Sequence, residues 1–263
     1  MNDSRVAVVV QARMSSRRLP GKVLAPLAGA PALVRMMERV ARVRGVERPV
    51  VATSTDPSDD RIVDVCARHE IACVRGPLDD VLGRFLLAAP AGCGIVVRLT
   101  GDCPLIDPGL VERHIEVFRR EQPWIEYVSN AVVRTMPDGL DVEVVSRRIL
   151  EEADRQAVSD HDREHVTPWV RRRARSLAVT QEIDLAELRW TLDTPSDLAV
   201  IAEVYAELYE TEPRFDSVDI YRLLVRRPEL IHVAGATTPP DAARAEWRRR
   251  IEAHLFTVDE AVR

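Results

Sequence analysis

Apolar residues fall in short, closely spaced blocks along the first half of the chain. Val6 to Val10 form an unbroken apolar run within residues 5–11, the pattern of a strand buried on both faces. Residues 12–22, ARMSSRRLPGK, are rich in Ser, Pro and Gly and read as a loop. Leu33, Val34, Met37 and Val40 then recur at helical spacing. Residues 49–53, 72–75 and 94–99 predict strands, and residues 56–69, 79–89 and 107–121 predict helices, the first opened by Asp-Pro. Strands separated by helices predict an α/β fold with a mostly parallel sheet and right-handed crossovers.

Beyond about residue 122 the alternation changes. Residues 123–129 and 139–145 read as strands of a hairpin or mixed sheet, and residues 146–157 as a helix. Residues 177–181 and 188–192 are further strand candidates. Residues 195–209 form an amphipathic helix with Leu198, Ile201, Val204 and Tyr205 on one face. The stretch 234–243 reads as a linker and AEWRRRIEAHLF as a terminal helix, so residues 1–233 are expected to form the main domain. RRRAR at 171–175 and RRR at 248–250 read as solvated helix surface.

Composition narrows the class. At 263 residues, 46% hydrophobic and 30% charged, the chain is long enough for one large domain with a small appendage and resembles neither disordered nor disulfide-rich sequences. A formal charge of −5 argues against a dedicated nucleic-acid binder. The four cysteines form no CxxC pair, which fits a reducing cytoplasm. The apolar run near the start is too short for a signal peptide or a membrane span, so neither export nor bilayer insertion is expected. Of the 37 basic residues only Lys22 is a lysine.

That lysine lies in the first loop with Arg13, Arg17 and Arg18, beside Ser15, Ser16 and Gly21 and directly after the first strand. In an open α/β sheet ligands bind beyond the carboxyl ends of the strands, so the loop is placed to hold phosphates. Arginine offers planar bidentate contacts to phosphate oxygens, and lysine a compact charge. Neither the Walker A nor the GxGxxG pattern is present, and a merely solvated basic loop has the same composition. A second strand ends in RLTGDCPLID, aiming Asp102 at the same edge. A third segment, WTLDTPSD, places Asp193 just before a helix that opens at Pro195. Two such carboxylates can share one Mg²⁺ with substrate phosphates, while Asp193 and Thr194 also fit an ordinary helix cap.

QARMSSRRLPGKVL, RLTGDCPLID, DGLDVEV, DREHVTP and TLDTPSDL, in this order over roughly residues 5–230, resemble the CMP-sugar synthetase-like cytidylyltransferases, most closely the branch of the spore coat polysaccharide biosynthesis protein F. The resemblance implies a Rossmann-like sheet of the sugar nucleotidyltransferase type, with a hairpin insertion for dimerisation around residues 125–180. It also implies transfer of CMP from CTP to an acidic sugar or related acceptor in surface polysaccharide synthesis, with pyrophosphate released. On this basis Ala12, Arg13, Ser16, Arg18, Lys22, Arg75, Thr100 and Asp102 are expected around the nucleotide. Arg13, Lys22 and Asp102 would be catalytic, and Asp102 with Asp193 would hold Mg²⁺. Gln11 and Cys103 depart from the sialic-acid and Kdo enzymes, which leaves the acceptor open. The expected partners are CTP, a small acidic acceptor and a second copy of the chain.

Asp141 and Glu143 share one face of a period-two strand and are expected at the acceptor, together with His161, Arg163, Glu164 and His165. The last group also spells HxxEH, the inverted zinc-protease pattern, although Pro168 disfavours a continuous helix just beyond it. Two further readings stay open at this point: a glycosyltransferase that consumes a nucleotide sugar, and a nucleotide-binding protein without turnover.

Overall fold

The fold is described from a computed structural model covering residues 5–234 and 240–261. In chain order its elements are β1 (Val6–Gln11), β2 (Pro26–Leu27), β3 (Ala30–Pro31), α1 (Ala32–Val40), β4 (Val50–Ser54), α2 (Asp60–Arg68), β5 (Ala72–Gly76), α3 (Val81–Ala88), β6 (Ile95–Thr100) and α4 (Pro108–Glu121). They continue with β7 (Tyr127–Ser129), β8 (Glu143–Ser146), α5 (Arg147–Gln156), α6 (Asp160–His165), α7 (Thr167–Arg173), β9 (Ser176–Ala178), α8 (Pro195–Leu208), α9 (Ser217–Arg226) and α10 (Asp241–Ala261).

Seven strands form one mixed sheet in the order β5-β4-β1-β6-β8-β7-β9. The first four run parallel, as expected from their alternation with helices. β8 lies antiparallel to both β6 and β7, and β9 pairs parallel with β7. Residues 125–180 therefore supply three strands of the main sheet as well as α5, α6 and α7.

β1 is buried on both faces because helices cover both sides. Val6, Val8 and Val10 pack with Leu33 and Met36 of α1, Ile62 of α2 and Phe118 of α4. Ala7 and Val9 pack on the other side with Leu82 and Phe85 of α3, Leu150 of α5 and Trp169 of α7. A third cluster joins α8, α9 and α10, with Trp247 and Ile251 of α10 buried against it. The expected terminal helix is thus part of a shared core, whereas half of the expected linker, residues 235–239, lies outside the described residues and its last three residues belong to α10.

Three strand expectations are corrected. Residues 188–192 form no strand, only isolated bridges from Leu188 to Val233 and from Arg189 to Asp138. The stretch is nevertheless buried, with Leu188, Trp190 and Leu192 all in the third cluster, so its apolar alternation reflects burial of an irregular segment. Of residues 123–129 only the last three pair, and in 139–145 pairing begins at Glu143.

Among the described residues no helix is long and apolar enough to cross a membrane.

Candidate active site

The parallel strands β1, β4 and β6 end at one edge, and the loops that follow β1 and β6 line a cleft of about 940 Å³. The basic loop is held there by its backbone. Ala12 N–H donates to Ala52 O at 3.0 Å, and Ser16 and Gly21 N–H both donate to Met14 O. Gly21 takes a left-handed φ of 74°, which lets the chain turn into the short helical turn Lys22–Leu24 and brings Lys22 back to the cleft. On the neighbouring loop Gly101 approaches β1 so closely that a Cβ would sit 2.9 Å from Gln11 O.

The two aspartates meet through a direct backbone link. Leu192 N–H donates to Asp102 O at 2.7 Å, tying the segment before α8 to the end of β6 across a long sequence separation. Thr194 caps α8 with a capping box to Asp197, so the capping role falls on Thr194 and leaves the Asp193 carboxylate for the cleft. Lys22 Nζ lies 2.6 Å from Asp102 Oδ2 and 2.6 Å from Asp193 Oδ1. Arg18 reaches Asp193 Oδ2 at 2.7 Å and Arg189 reaches the same oxygen at 2.9 Å. Burial alone would favour a neutral Lys22 amine, yet the two carboxylates reverse this and hold it protonated above its ordinary range. Burial likewise raises Asp102, but Lys22 outweighs it and keeps the carboxyl below its usual range. Burial pushes the Cys103 thiol well up, which disqualifies it as a nucleophile at neutral pH.

Ala12, Arg13, Ser16, Arg18, Lys22, Thr100, Asp102 and Asp193 all line the cleft, as do Glu164 and His165. Arg13 pairs with Glu164 at 3.2 Å, which brings α6 to the mouth. Arg75 does not line it. Its guanidinium is spent on Ser54 O, Asp56 O and Asp60, closing the end of β4. The arginine that the same stretch does bring to the cleft is Arg84, buried and donating to Pro77 O at 2.6 Å and Leu78 O at 2.7 Å. It is the only charged residue in the apolar helix α3, a signal present in the sequence but not used.

A smaller cavity of about 90 Å³ shares Thr100 with the cleft and is lined by Arg98, Arg134, Asp141, Glu143 and Arg171 among others. Asp141 is bound bidentately by Arg134 at 2.6 and 2.8 Å. Glu143 is only 2% exposed, because both faces of β8 are covered. The antiparallel register sets Arg98 opposite it, and the two side chains form an ion pair. Arg171 pairs with it at 2.5 Å, and Tyr127 and Thr167 donate to it. Burial works against ionisation here, but the two arginines and the donated hydrogen bonds outweigh it and hold the carboxyl down at about 2. The arginines of RRRAR are exposed, as the sequence reading expects, and Arg171 reaches inward from that surface to pair with Glu143.

Arg163 is engaged by Asp80 and Asp154 at 2.6 and 2.8 Å and so fastens α6 to its neighbours. His161 and His165 are exposed, with ring centroids 4.6 Å apart. The helix stops at His165 because Val166 has a φ of 69°. No group of three or more His, Cys, Asp or Glu residues is arranged to hold a metal among the described residues, so HxxEH lacks the third donor of a zinc site. Sequence reasoning also missed Asp59, whose buried carboxylate accepts from Met14 N–H at 2.7 Å and from Ser54 N–H at 3.0 Å.

Comparison with known proteins agrees with this geometry. The chain is 32% identical over 240 residues to the spore coat polysaccharide biosynthesis protein SpsF of Bacillus subtilis, covering 87% of this chain and 97% of that one. A shorter stretch of 111 residues is 45% identical to 3-deoxy-manno-octulosonate cytidylyltransferase of Anaeromyxobacter dehalogenans, covering 41% of this chain and 44% of that protein. Among solved structures, a cytidylyltransferase from Leptospira borgpetersenii superposes with a TM-score of 0.82 at 31% identity, covering 86% of this chain and 96% of that one. The profile of the cytidylyltransferase family matches residues 7–212, and the chain belongs to that family of CTP-dependent nucleotidyltransferases.

Proposed function

We propose that the cleft binds CTP with a divalent cation and that CMP is transferred to a small acidic sugar, releasing pyrophosphate, in the synthesis of a surface glycan. The observation that carries this reading is the convergence of Lys22, Arg18 and Arg13 with Asp102 and Asp193 at the carboxyl ends of the parallel strands. An acceptor oxygen attacks the α-phosphorus in line. The new bond from that oxygen to phosphorus forms as the bond from phosphorus to the bridging oxygen of pyrophosphate breaks. Catalysis is then positioning and charge neutralisation. Arg13 and Lys22 stabilise charge on the α-phosphate and the leaving group, while Arg18 and Ser16 hold the outer phosphates. Arg84 stiffens the wall formed by residues 77–78.

Asp102 and Asp193 suit a hard, oxygen-seeking cation such as Mg²⁺, since a single ammonium already touches one oxygen of each. Bound there, the cation would neutralise phosphate oxygens.

The smaller cavity, at about 90 Å³, suits the carboxylate of the acceptor, with the body of the sugar lying in the larger cleft that shares Thr100 with it. Arg98, Arg134 and Arg171 outnumber Asp141 and Glu143 in its lining, which suits a carboxylate, and Asp141 is held by Arg134. The buried Glu143 orients Arg98 and Arg171 rather than meeting the acceptor itself. Glu164 and His165 line the larger cleft, on the side of α6. Self-association through residues 125–180 is supported by Val132 and Val133, exposed in the loop after β7, and light scattering of the purified chain tests it.

The deciding assay supplies CTP, Mg²⁺ and a panel of acidic sugars that includes 3-deoxy-manno-octulosonate. Pyrophosphate should appear with at least one acceptor. Release of a nucleoside diphosphate from a nucleotide sugar would favour a glycosyltransferase, and CTP-induced thermal stabilisation without turnover across the panel would favour a binding protein.

A further inference from the structure

The four carboxylate oxygens of Asp102 and Asp193 are not equivalent. Asp193 Oδ2 is occupied by Arg18 at 2.7 Å and Arg189 at 2.9 Å. Asp102 Oδ1 has the Cys103 thiol at 3.7 Å. The remaining pair, Asp102 Oδ2 and Asp193 Oδ1, are the two oxygens a bridging dication needs, and both lie 2.6 Å from Lys22 Nζ. The side chains of Lys22, Asp102 and Asp193 are 11%, 27% and 13% exposed, so this is a partly buried contact in the cleft wall rather than a freely solvated surface pairing.

An ammonium is a compact charge with three donors, and between two carboxylates it imitates a small cation. A dication would bind each oxygen at about 2.1 Å. The oxygens are no farther apart than twice the Nζ to oxygen distance, so ammonium and dication cannot both sit between them. Their like charges would repel across that gap.

The geometry points to Lys22 as an internal stand-in for the divalent cation: without nucleotide the chain closes its metal site with its own lysine, and the metal enters together with the nucleotide polyphosphate, which gives the displaced ammonium a new anionic partner. Metal and CTP then bind with positive coupling, and the coupling resides in Lys22. This rests on the reading that Asp102 and Asp193 hold the catalytic cation.

The test is binding of Mn²⁺ alone to the full chain, followed as loss of the free Mn²⁺ paramagnetic resonance signal, with no nucleotide present. Lys22→Met should bind Mn²⁺ tighter than the wild type by roughly tenfold or more. Lys22→Gln, which keeps hydrogen-bonding capacity without the charge, should gain likewise, and Mn²⁺ should raise the Tm of both variants more than that of the wild type. The gain should vanish when Asp193→Asn is added to Lys22→Met. Equal or weaker Mn²⁺ binding by both lysine variants overturns the inference, as does a gain that survives Asp193→Asn. Pyrophosphate release from CTP by the wild type is read separately, so loss of the stand-in role and loss of the proposed function leave different signatures.

Discussion

The carboxylate of Asp59 accepts the backbone N–H of Met14 at 2.7 Å, so the basic loop after β1 is anchored to the end of the neighbouring strand β4. One buried side chain thereby sets where Arg13, Arg18 and Lys22 begin their approach to the cleft. Asp59→Ala leaves the N–H groups of Met14 and Ser54 without their partner and should cost about 1–3 kcal/mol for each unsatisfied group. A clear fall in Tm and a raised KM for CTP are expected, measured by thermal melting and by pyrophosphate release. An unchanged Tm and KM would remove Asp59 from this role.

Lys22→Ala tests the cationic side of the site. Loss of one preorganised contact to developing charge costs about 3 kcal/mol, roughly two powers of ten in rate. CTP-dependent pyrophosphate release should fall by that factor in kcat, while circular dichroism stays that of the wild type. A kcat within twofold of the wild type would show that the lysine does not meet the reacting phosphates.

Glu143 makes stability depend on pH. Its carboxyl sits at about 2 in the folded chain against an ordinary 4.5, because Arg98 and Arg171 outweigh the cost of burial. The ionised form is therefore favoured by folding, and its contribution is complete above pH 4.5 and fades as pH falls toward about 2. Glu143→Gln should melt lower than the wild type at neutral pH, and the gap should narrow on acidification through that window. Parallel Tm curves across the window would contradict the ion pairing.

Gly101, at the start of the loop after β6, donates its N–H to Gln11 O at the end of β1 at 2.7 Å. A Cβ there would lie 2.9 Å from Gln11 O and 3.1 Å from Ala12 Cβ, so one loop must move. Gly101→Ala is expected to lower Tm and to weaken CTP binding together, as read by calorimetry. Wild-type values for both would mean that the loops separate at no cost.

Much of this site was legible in the sequence for identifiable reasons. β1 and β6 are short apolar runs that end abruptly in polar residues, and in a parallel sheet those ends share an edge, which predicts that Lys22 and Asp102 meet. Asp193 was harder, because Asp and Thr before Pro fit a helix cap equally well. The structure divides the roles, with Thr194 capping and Asp193 facing Lys22. Arg75 is expected at the nucleotide and Arg84 is not, because the local sequence gives no depth. Arg75 closes the end of the neighbouring strand β4, while Arg84 reaches the cleft from the helix. Glu143 misled for a related reason. Period-two alternation shows that it faces away from Val142 and Val144, but not that both faces of β8 are covered. The partners that matter for it, Arg98 and Arg171, come from another strand and a later helix.

Steady-state release of pyrophosphate from CTP and Mg²⁺, with an accepting acidic sugar, compared between the wild type and Asp193→Asn, tests the central claim most directly. Asp193→Asn keeps the size of the side chain and removes its charge, so the rate should fall by roughly two powers of ten or more while the fold, followed by circular dichroism, is retained. A folded Asp193→Asn protein that releases pyrophosphate at close to the wild-type rate would contradict a shared Asp102 and Asp193 cation site.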